Sequence, residues 1–133
     1  MNLAYGWVAQ RAEFRCEYCR APATLFNFNF EIEHILPLSR GGDDSPANLA
    51  LACRACNAFK GSTVTGRDPA THAEVELFHP HRHRWDEHFR FEPQGAEVLG
   101  VTPIGRATAA RLQLNHPMHV RARRAWMRLV EFP

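Results

Sequence analysis

Apolar positions recur at two different periods along this chain of 133 residues. Over residues 3–13 the spacing is helical, with Leu3, Trp7, Val8 and Ala12 near one face. From Phe26 to Glu33 the run Phe-Asn-Phe-Asn-Phe-Glu-Ile-Glu alternates apolar and polar, which is the period of a strand, and Pro37 ends it. Residues 39–46, Ser-Arg-Gly-Gly-Asp-Asp-Ser-Pro, read as a loop on turn chemistry alone. Asn48-Leu49-Ala50-Leu51-Ala52 reads as a return strand, and a short helix follows from about Cys56 to Lys60, stopped by Gly61. The order strand, loop, strand, helix makes a ββα unit.

After Gly66 the pattern changes. Glu74 to Phe78 is a short strand candidate. Residues 85–91, with Trp85, Phe89 and Phe91, lead through a turn at Pro93-Gln94-Gly95 into a returning strand over 97–101, which predicts a hairpin. Thr102 and Pro103 supply an N-cap and a first helical residue, and that helix runs to about Leu114, broken at Asn115-His116-Pro117. A last helix covers about 118–130. On it Met118, Ala122, Ala125 and Leu129 share one face, and Arg121, Arg124 and Arg128 share another. Trp7, Trp85 and Trp126 lie near other apolar residues and are expected to fill core. The pattern as a whole predicts an α+β protein of one domain over 1–133. Its core motif spans about 16–61 and an accessory region of a β-hairpin and two helices spans about 67–133.

Candidate chemistry changes this picture most at the cysteines. All four fall in two pairs of identical spacing, Cys16-Glu-Tyr-Cys19 and Cys53-Arg-Ala-Cys56, which bracket Glu33-His34. Two Cys-x2-Cys knuckles have the spacing of a tetrahedral zinc site, since each tight turn aims two thiolates at one ion. A disulfide framework is the alternative. Cysteines paired for metal suit a reducing compartment, and the expectation is a cytoplasmic protein. The segment Met1 to Arg15 lacks a signal-peptide core, and no apolar run approaches the ~20 residues of a membrane span.

Charge adds a polarity along the chain. The formal net charge is +2. Residues 68–97 hold seven acids against three arginines, and residues 104–133 hold six arginines and one acid. A basic end on a near-neutral body suggests a polyanionic partner. The alternative is a solvated helix face, with Arg121, Arg124 and Arg128 paired to acids such as Asp86, Glu87 or Glu92. His79, His81, His83 and His88 cluster with Arg82 and Arg84. They read as a packed or surface segment, with a metal site as the alternative on His79 and His83, or on His81 with Asp86. His72, His116 and His119 read as structural or exposed.

At this point a string of residues carries a resemblance. Glu33-His34-Ile35-x-Pro37, Arg40-Gly41-Gly42, Asn48-Leu49, Cys53-x2-Cys56-Asn57 and Lys60 resemble an HNH endonuclease with a ββα-metal fold. The downstream residues Leu77-Phe78-His79-Pro80, Trp85-x2-His88-Phe89 and Gly105-Arg106-Ala107-Thr108 are similar to those of compact zinc-containing bacterial HNH proteins. The resemblance implies a core pinned by a four-cysteine zinc site on Cys16, Cys19, Cys53 and Cys56. It implies that Glu33 and Asn57 ligate a catalytic Mg2+ or Mn2+, that His34 is the general base, and that Asn48 orients it. It implies a metal-dependent endonuclease that acts on DNA, most readily double-stranded, and leaves 5′-phosphate and 3′-hydroxyl ends. Two positions depart from the commoner pattern: Glu33 stands where Asp is frequent, and Asn57 where His is frequent.

The chemistry of the residues supports the same roles. Phosphodiester hydrolysis needs a deprotonated water and a charge sink for the leaving oxygen. Imidazole titrates near neutrality, so His34 is suited to take the proton. Glu33 and Asn57 offer hard oxygen ligands that suit magnesium or manganese. In a strict strand, however, Glu33 and His34 point to opposite faces, and a bend near Pro37 is needed to bring them to one phosphate. Arg40 and Lys60 are candidates for flanking phosphates, and Arg121, Arg124 and Arg128 for a longer stretch of backbone. One ββα unit offers one active site, so a monomer nicks one strand and a double-strand break needs a dimer or two events. The oligomeric state stays open. The competing classes are a non-catalytic zinc-ribbon module that binds nucleic acid, and a nuclease directed at RNA.

Overall fold

Helix α1 (Tyr5–Arg11) opens the chain and buries Val8 and Ala9. The computed structural model describes residues 3–92 and 94–130, in two compact units, Met1–Val64 and Thr65–Pro133. In the first, α1 is shorter than its apolar period suggests, and Leu3 and Trp7 remain exposed. Arg11 accounts for this turn of the helix. Its guanidinium lies over the Trp7 ring, 5.1 Å from the centroid, and donates to the carbonyls of Pro46 and Leu49.

Strands β1 (Glu31–His34) and β2 (Leu49–Ala52) pair antiparallel, with Glu31 opposite Ala52, Glu33 opposite Ala50 and His34 opposite Leu49. The alternating run from Phe26 does not join β1. After Ala52 the chain turns into the second cysteine pair, so residues 26–30 have no partner strand to satisfy their backbone groups. Phe30 is buried, whereas Phe28 is exposed and carries the Arg54 guanidinium over its ring. Helix α2 (Arg54–Lys60) follows β2 directly. Cys53 caps it, its sulfur accepting from the Cys56 N–H, and Gly61 ends it at φ +56°. The core of this unit is thus a strand–strand–helix succession.

The second unit contains a strand that the sequence pattern did not reveal. β3 (Thr65–Arg67) pairs with β4 (Glu74–Glu76). With three residues and a central glycine, β3 offers no alternation to detect. The expected hairpin is present as β5 (Phe89–Glu92) and β6 (Glu97–Gly100). Residues 85–88 are not strand, however, but a single helical turn, α3 (Trp85–His88). Of the expected hairpin turn, Pro93 lies outside the described residues; the Glu92 carboxylate accepts from the backbone N–H groups of Gln94 and Gly95.

Helix α4 (Pro103–Arg111) begins as its sequence predicts, with the Thr102 hydroxyl accepting from Gly105 N and Pro103 at the first position. It packs on β6 through two glycines. A Cβ on Gly105 would sit 1.9 Å from the His88 carbonyl oxygen, and one on Gly100 would sit 2.4 Å from the Arg106 nitrogen. Helix α5 (Pro117–Trp126) corrects an expectation. It buries Arg123 and Trp126 and leaves Met118 exposed; Leu129, expected on the same helix face, lies beyond the helix end and is exposed too. The Arg123 guanidinium donates to the carbonyls of Ala96 and Leu114, so a cation takes the inward position expected of the apolar face. No helix among the described residues is long and apolar enough to cross a membrane.

Asp68 ties this unit together from a fully buried position. Its carboxylate takes two hydrogen bonds from the Arg106 guanidinium at 2.9 and 3.0 Å, one from Thr71 Oγ1 and one from Ala70 N. The fork of Arg106 holds the Asp68 carboxyl well below the usual carboxylate range. A carboxyl depressed in the folded state adds stability that is present above its unfolded pKa of about 3.9 and is lost as pH falls from there. The thermal midpoint should therefore fall with acid below about pH 4. Asp68→Asn should lower the midpoint at neutral pH and flatten that acid slope; an unchanged slope would show that Asp68 is not its source.

Candidate active site and metal centre

The two cysteine knuckles meet. Cys16, Cys19, Cys53 and Cys56 are all buried, and their four sulfurs lie within 4.8 Å of one another. Cys19 and Cys53 sulfurs are 3.8 Å apart. A tetrahedron with zinc–sulfur bonds of about 2.3 Å has edges of about 3.8 Å, so the donor set fits one zinc ion. The N–H of Cys19 points at the Cys16 sulfur and that of Cys56 at the Cys53 sulfur, which favours thiolate in each knuckle. Among the described residues this is the one cluster of three or more metal-ligating side chains.

Glu33 and Lys60 are where the structure departs from expectation. Glu31–His34 is regular strand and the bend comes after it, at Ile35 and Leu36, so within β1 Glu33 faces inward and His34 does not. The Glu33 carboxylate is buried and both oxygens are taken: one accepts from Lys60 Nζ at 2.5 Å, the other from the Tyr18 hydroxyl at 2.5 Å. Lys60 is buried too, and also donates to the Ile35 carbonyl at 2.9 Å. Lys60 is thus a structural cation and not a phosphate contact at the surface. Burial pushes the Glu33 carboxyl above its ordinary value, against the pull of the Lys60 charge and the two hydrogen bonds. Burial, and then the Glu33 charge, raise the Tyr18 hydroxyl.

Asn57 lies one turn earlier on the same side of α2. Its amide donates to Glu31 Oε1 at 2.7 Å, and Arg54 adds a longer ion pair to Glu31 at 3.7 Å. Two rungs therefore join β1 to α2, Glu31 to Asn57 and Glu33 to Lys60. As a donor set for Mg2+ or Mn2+ this arrangement does not fit. The carboxylate meant to lead the set is buried and bonded at both oxygens, and a second cation beside its buried ammonium would be repelled. Sequence reasoning missed Tyr18 and Glu31. The available signal was Glu-x-Glu on a strand facing Asn-x-x-Lys on a helix, periods that put both acids and both partners on facing sides.

His34 occupies the other face of β1. Its side chain is a quarter exposed, and Nε2 lies 2.7 Å from Asp44 Oδ1. Asp44 is a residue that sequence reasoning left in an undifferentiated loop. Asn48 acts differently from the expectation that it orients the histidine. It accepts from Leu36 N and donates to the carbonyls of Leu36 and Asp43, and so clamps the loop between the strands. Gly42 is needed there because a Cβ would fall 1.8 Å from the Leu36 carbonyl oxygen. Arg40 is exposed, with its Nε donating to Ser62 O at 2.7 Å.

In the second unit, Arg121, Arg124 and Arg128 are exposed as expected, and Arg124 donates to the Gly95 carbonyl. Asp86 and Glu87 instead pair with Arg84 on their own segment. The histidine segment is a turn with its ring nitrogens turned to structure. His83 Nδ1 accepts from His79 N, His79 Nδ1 from His81 N, and His88 Nδ1 bonds the Thr102 hydroxyl. Burial, helped by the Arg82 charge, lowers His79 to about 4, so it is neutral near pH 7 and a poor phosphate contact.

Two outcomes follow from the buried groups. Cys53→Ser should lose bound zinc and unfold the knuckle region, because zinc binding at such sites is coupled to folding by ~10 kcal/mol or more. Elemental analysis that finds no zinc in folded wild-type protein would contradict the site. Lys60→Met should destabilise the protein by about 3–5 kcal/mol in urea unfolding by stranding the Glu33 charge, and Glu33→Gln in the same chain should recover much of it. Equal losses in the single and double variants would argue that the pair is not coupled.

Residues 16–63 match the family model described as HNH endonuclease. The matched segment runs from the first knuckle through β1, the Asn48 loop, β2 and α2. No curated protein and no solved structure matches the chain significantly. Residues 16–63 are thus similar to the HNH endonuclease family, the family that the Glu33 to Lys60 motif string resembles.

Proposed function

We propose that the protein is an endonuclease that hydrolyses phosphodiester bonds in DNA, with His34 as the proton acceptor. One observation carries this reading. Within the segment matched to the HNH family, His34 is the motif residue that carries an imidazole, a group able to accept a proton, and its side chain is a quarter exposed at the end of β1 beside a loop held by Asn48. With Nε2 bonded to Asp44, Nδ1 is the nitrogen left to act as base. A water molecule approaching the phosphorus gives its proton to Nδ1, the new P–O bond forms, and the bond to the 3′-oxygen breaks as that oxygen takes a proton from solvent water; the imidazolium then releases its proton to solvent. The products carry 5′-phosphate and 3′-hydroxyl ends. Arg40, exposed at the same loop, is suited to a flanking phosphate. Arg121, Arg124 and Arg128 offer a second basic strip for the backbone.

The divalent ion expected on Glu33 and Asn57 is given no step, because those residues do not form an open oxygen site for it. A plasmid-nicking assay tests the reading. Supercoiled DNA is incubated with wild type and His34→Ala, with magnesium, with manganese and with neither. Wild type should convert supercoiled plasmid to open circle, and His34→Ala should be slower by at least ~100-fold with its zinc content intact. Full activity in the His34 variant would refute the assignment. DNA binding without nicking under every condition would favour the non-catalytic zinc module, and cleavage confined to an RNA substrate would replace DNA as the target.

A further inference from the structure

We infer that Asp44 is the positioning residue of His34, fixing its ring as the Nε2–H tautomer so that Nδ1 is free to accept a proton. This rests on the reading of His34 as the base. In a neutral imidazole one nitrogen donates and the other accepts, and the partner decides which. An ionised carboxylate only accepts, so the 2.7 Å contact between Nε2 and Asp44 Oδ1 requires the proton on Nε2. Asn48, the residue expected to orient the histidine, commits its amide to Leu36 and Asp43. It serves the histidine at second hand, by fixing the loop from which Asp44 reaches.

That loop is built to hold one geometry. Asn48 closes it from both sides, and its own backbone carbonyl accepts from Ile35 N, the residue after His34. Gly41 adopts φ +90°, and Gly42 lets the backbone approach Leu36. The Asp43 side chain accepts from Ser45 N across Asp44, so Asp43 is committed to the turn and Asp44 to the histidine. Arg40 is tied to Ser62.

The rival account is an exposed ion pair that serves stability alone. The Asp44 side chain is 84% exposed, and pairs so exposed contribute little to stability. The Asp44 carboxylate stands apart from the zinc ligands and from the Glu33–Lys60 pair, so removing it leaves the fold and zinc site in place. Its one specific consequence is the orientation and tautomer of His34.

Two measurements test this on the intact chain. The first is 15N NMR of ring-labelled protein, at a pH where His34 is neutral. Wild type should show Nε2 protonated and Nδ1 bare, and Asp44→Ala should show a mixture. A wild-type ring protonated on Nδ1 overturns the inference. The second is plasmid nicking by Asp44→Asn. Its kcat should drop roughly 10- to 100-fold with KM, zinc content and thermal midpoint unchanged, and Asp44→Glu should restore part of the rate. A wild-type kcat in Asp44→Asn, while His34→Ala is inactive, overturns the positioning role but leaves the nuclease reading intact. If wild-type protein nicks nothing, the nuclease reading fails and the NMR result alone decides whether Asp44 sets the tautomer.

Discussion

The structure of the first unit depends on a buried charge that cannot be left alone. Glu33 and Lys60 are both withdrawn from water, and an uncompensated charge in that position costs several kcal/mol. The carboxylate is therefore the meeting point of three segments: Tyr18 from the first knuckle, Glu33 on β1 and Lys60 on α2. The four cysteines join the same knuckle and the same helix at its other end. The cysteine cluster and the ion pair thus act on α2 from both termini, Cys53 and Cys56 at one end and Lys60 at the other. Sliding the helix by one residue would break both. The alanines opposite the acids, Ala50 and Ala52, leave room for the polar layer, which bulkier residues on β2 would fill.

This constraint also decides which face of β1 His34 occupies. Because β1 is regular, committing Glu33 to the interior commits His34 to the opposite face. The acid–histidine pair in the motif is split by the pleat into a buried half and a partly exposed half. On the inner face the positive charge beside the carboxylate is a lysine, fixed and dehydrated. On the outer face the acid beside the histidine is Asp44, exposed itself but carried by a pinned loop. The acid that contacts His34 lies ten residues away in sequence.

Much of this was legible in the residues. The knuckle spacing identified four cysteines that come together in a cluster able to hold a metal, because two thiolates on a tight turn have few other uses, and Thr102-Pro103 fixed the start of α4 through local capping chemistry. What failed was information that is not local. The alternation from Phe26 to Phe30 is a true strand pattern without a partner strand, and β3 is a true strand without a pattern. Glu33 and Lys60 carry the right chemistry for a ligand and a phosphate contact, but which side of a strand faces a helix is set by packing, not by residue type. Asn48 and Asp44 show the same limit: both side chains act across the loop, where sequence distance says little about contact.

The arginines near the end of the chain extend this to the second unit. Arg121, Arg123, Arg124 and Arg128 fall close together, and charge alone makes them equivalent. Packing separates them. Arg123 is buried, its guanidinium donating to the carbonyls of Ala96 and Leu114. With Arg123 inward, Arg121 and Arg124 on the same helix are exposed, as is Arg128 just past its end. The exposed basic strip is therefore a consequence of how one buried cation is satisfied, just as the exposure of His34 is a consequence of how Lys60 is.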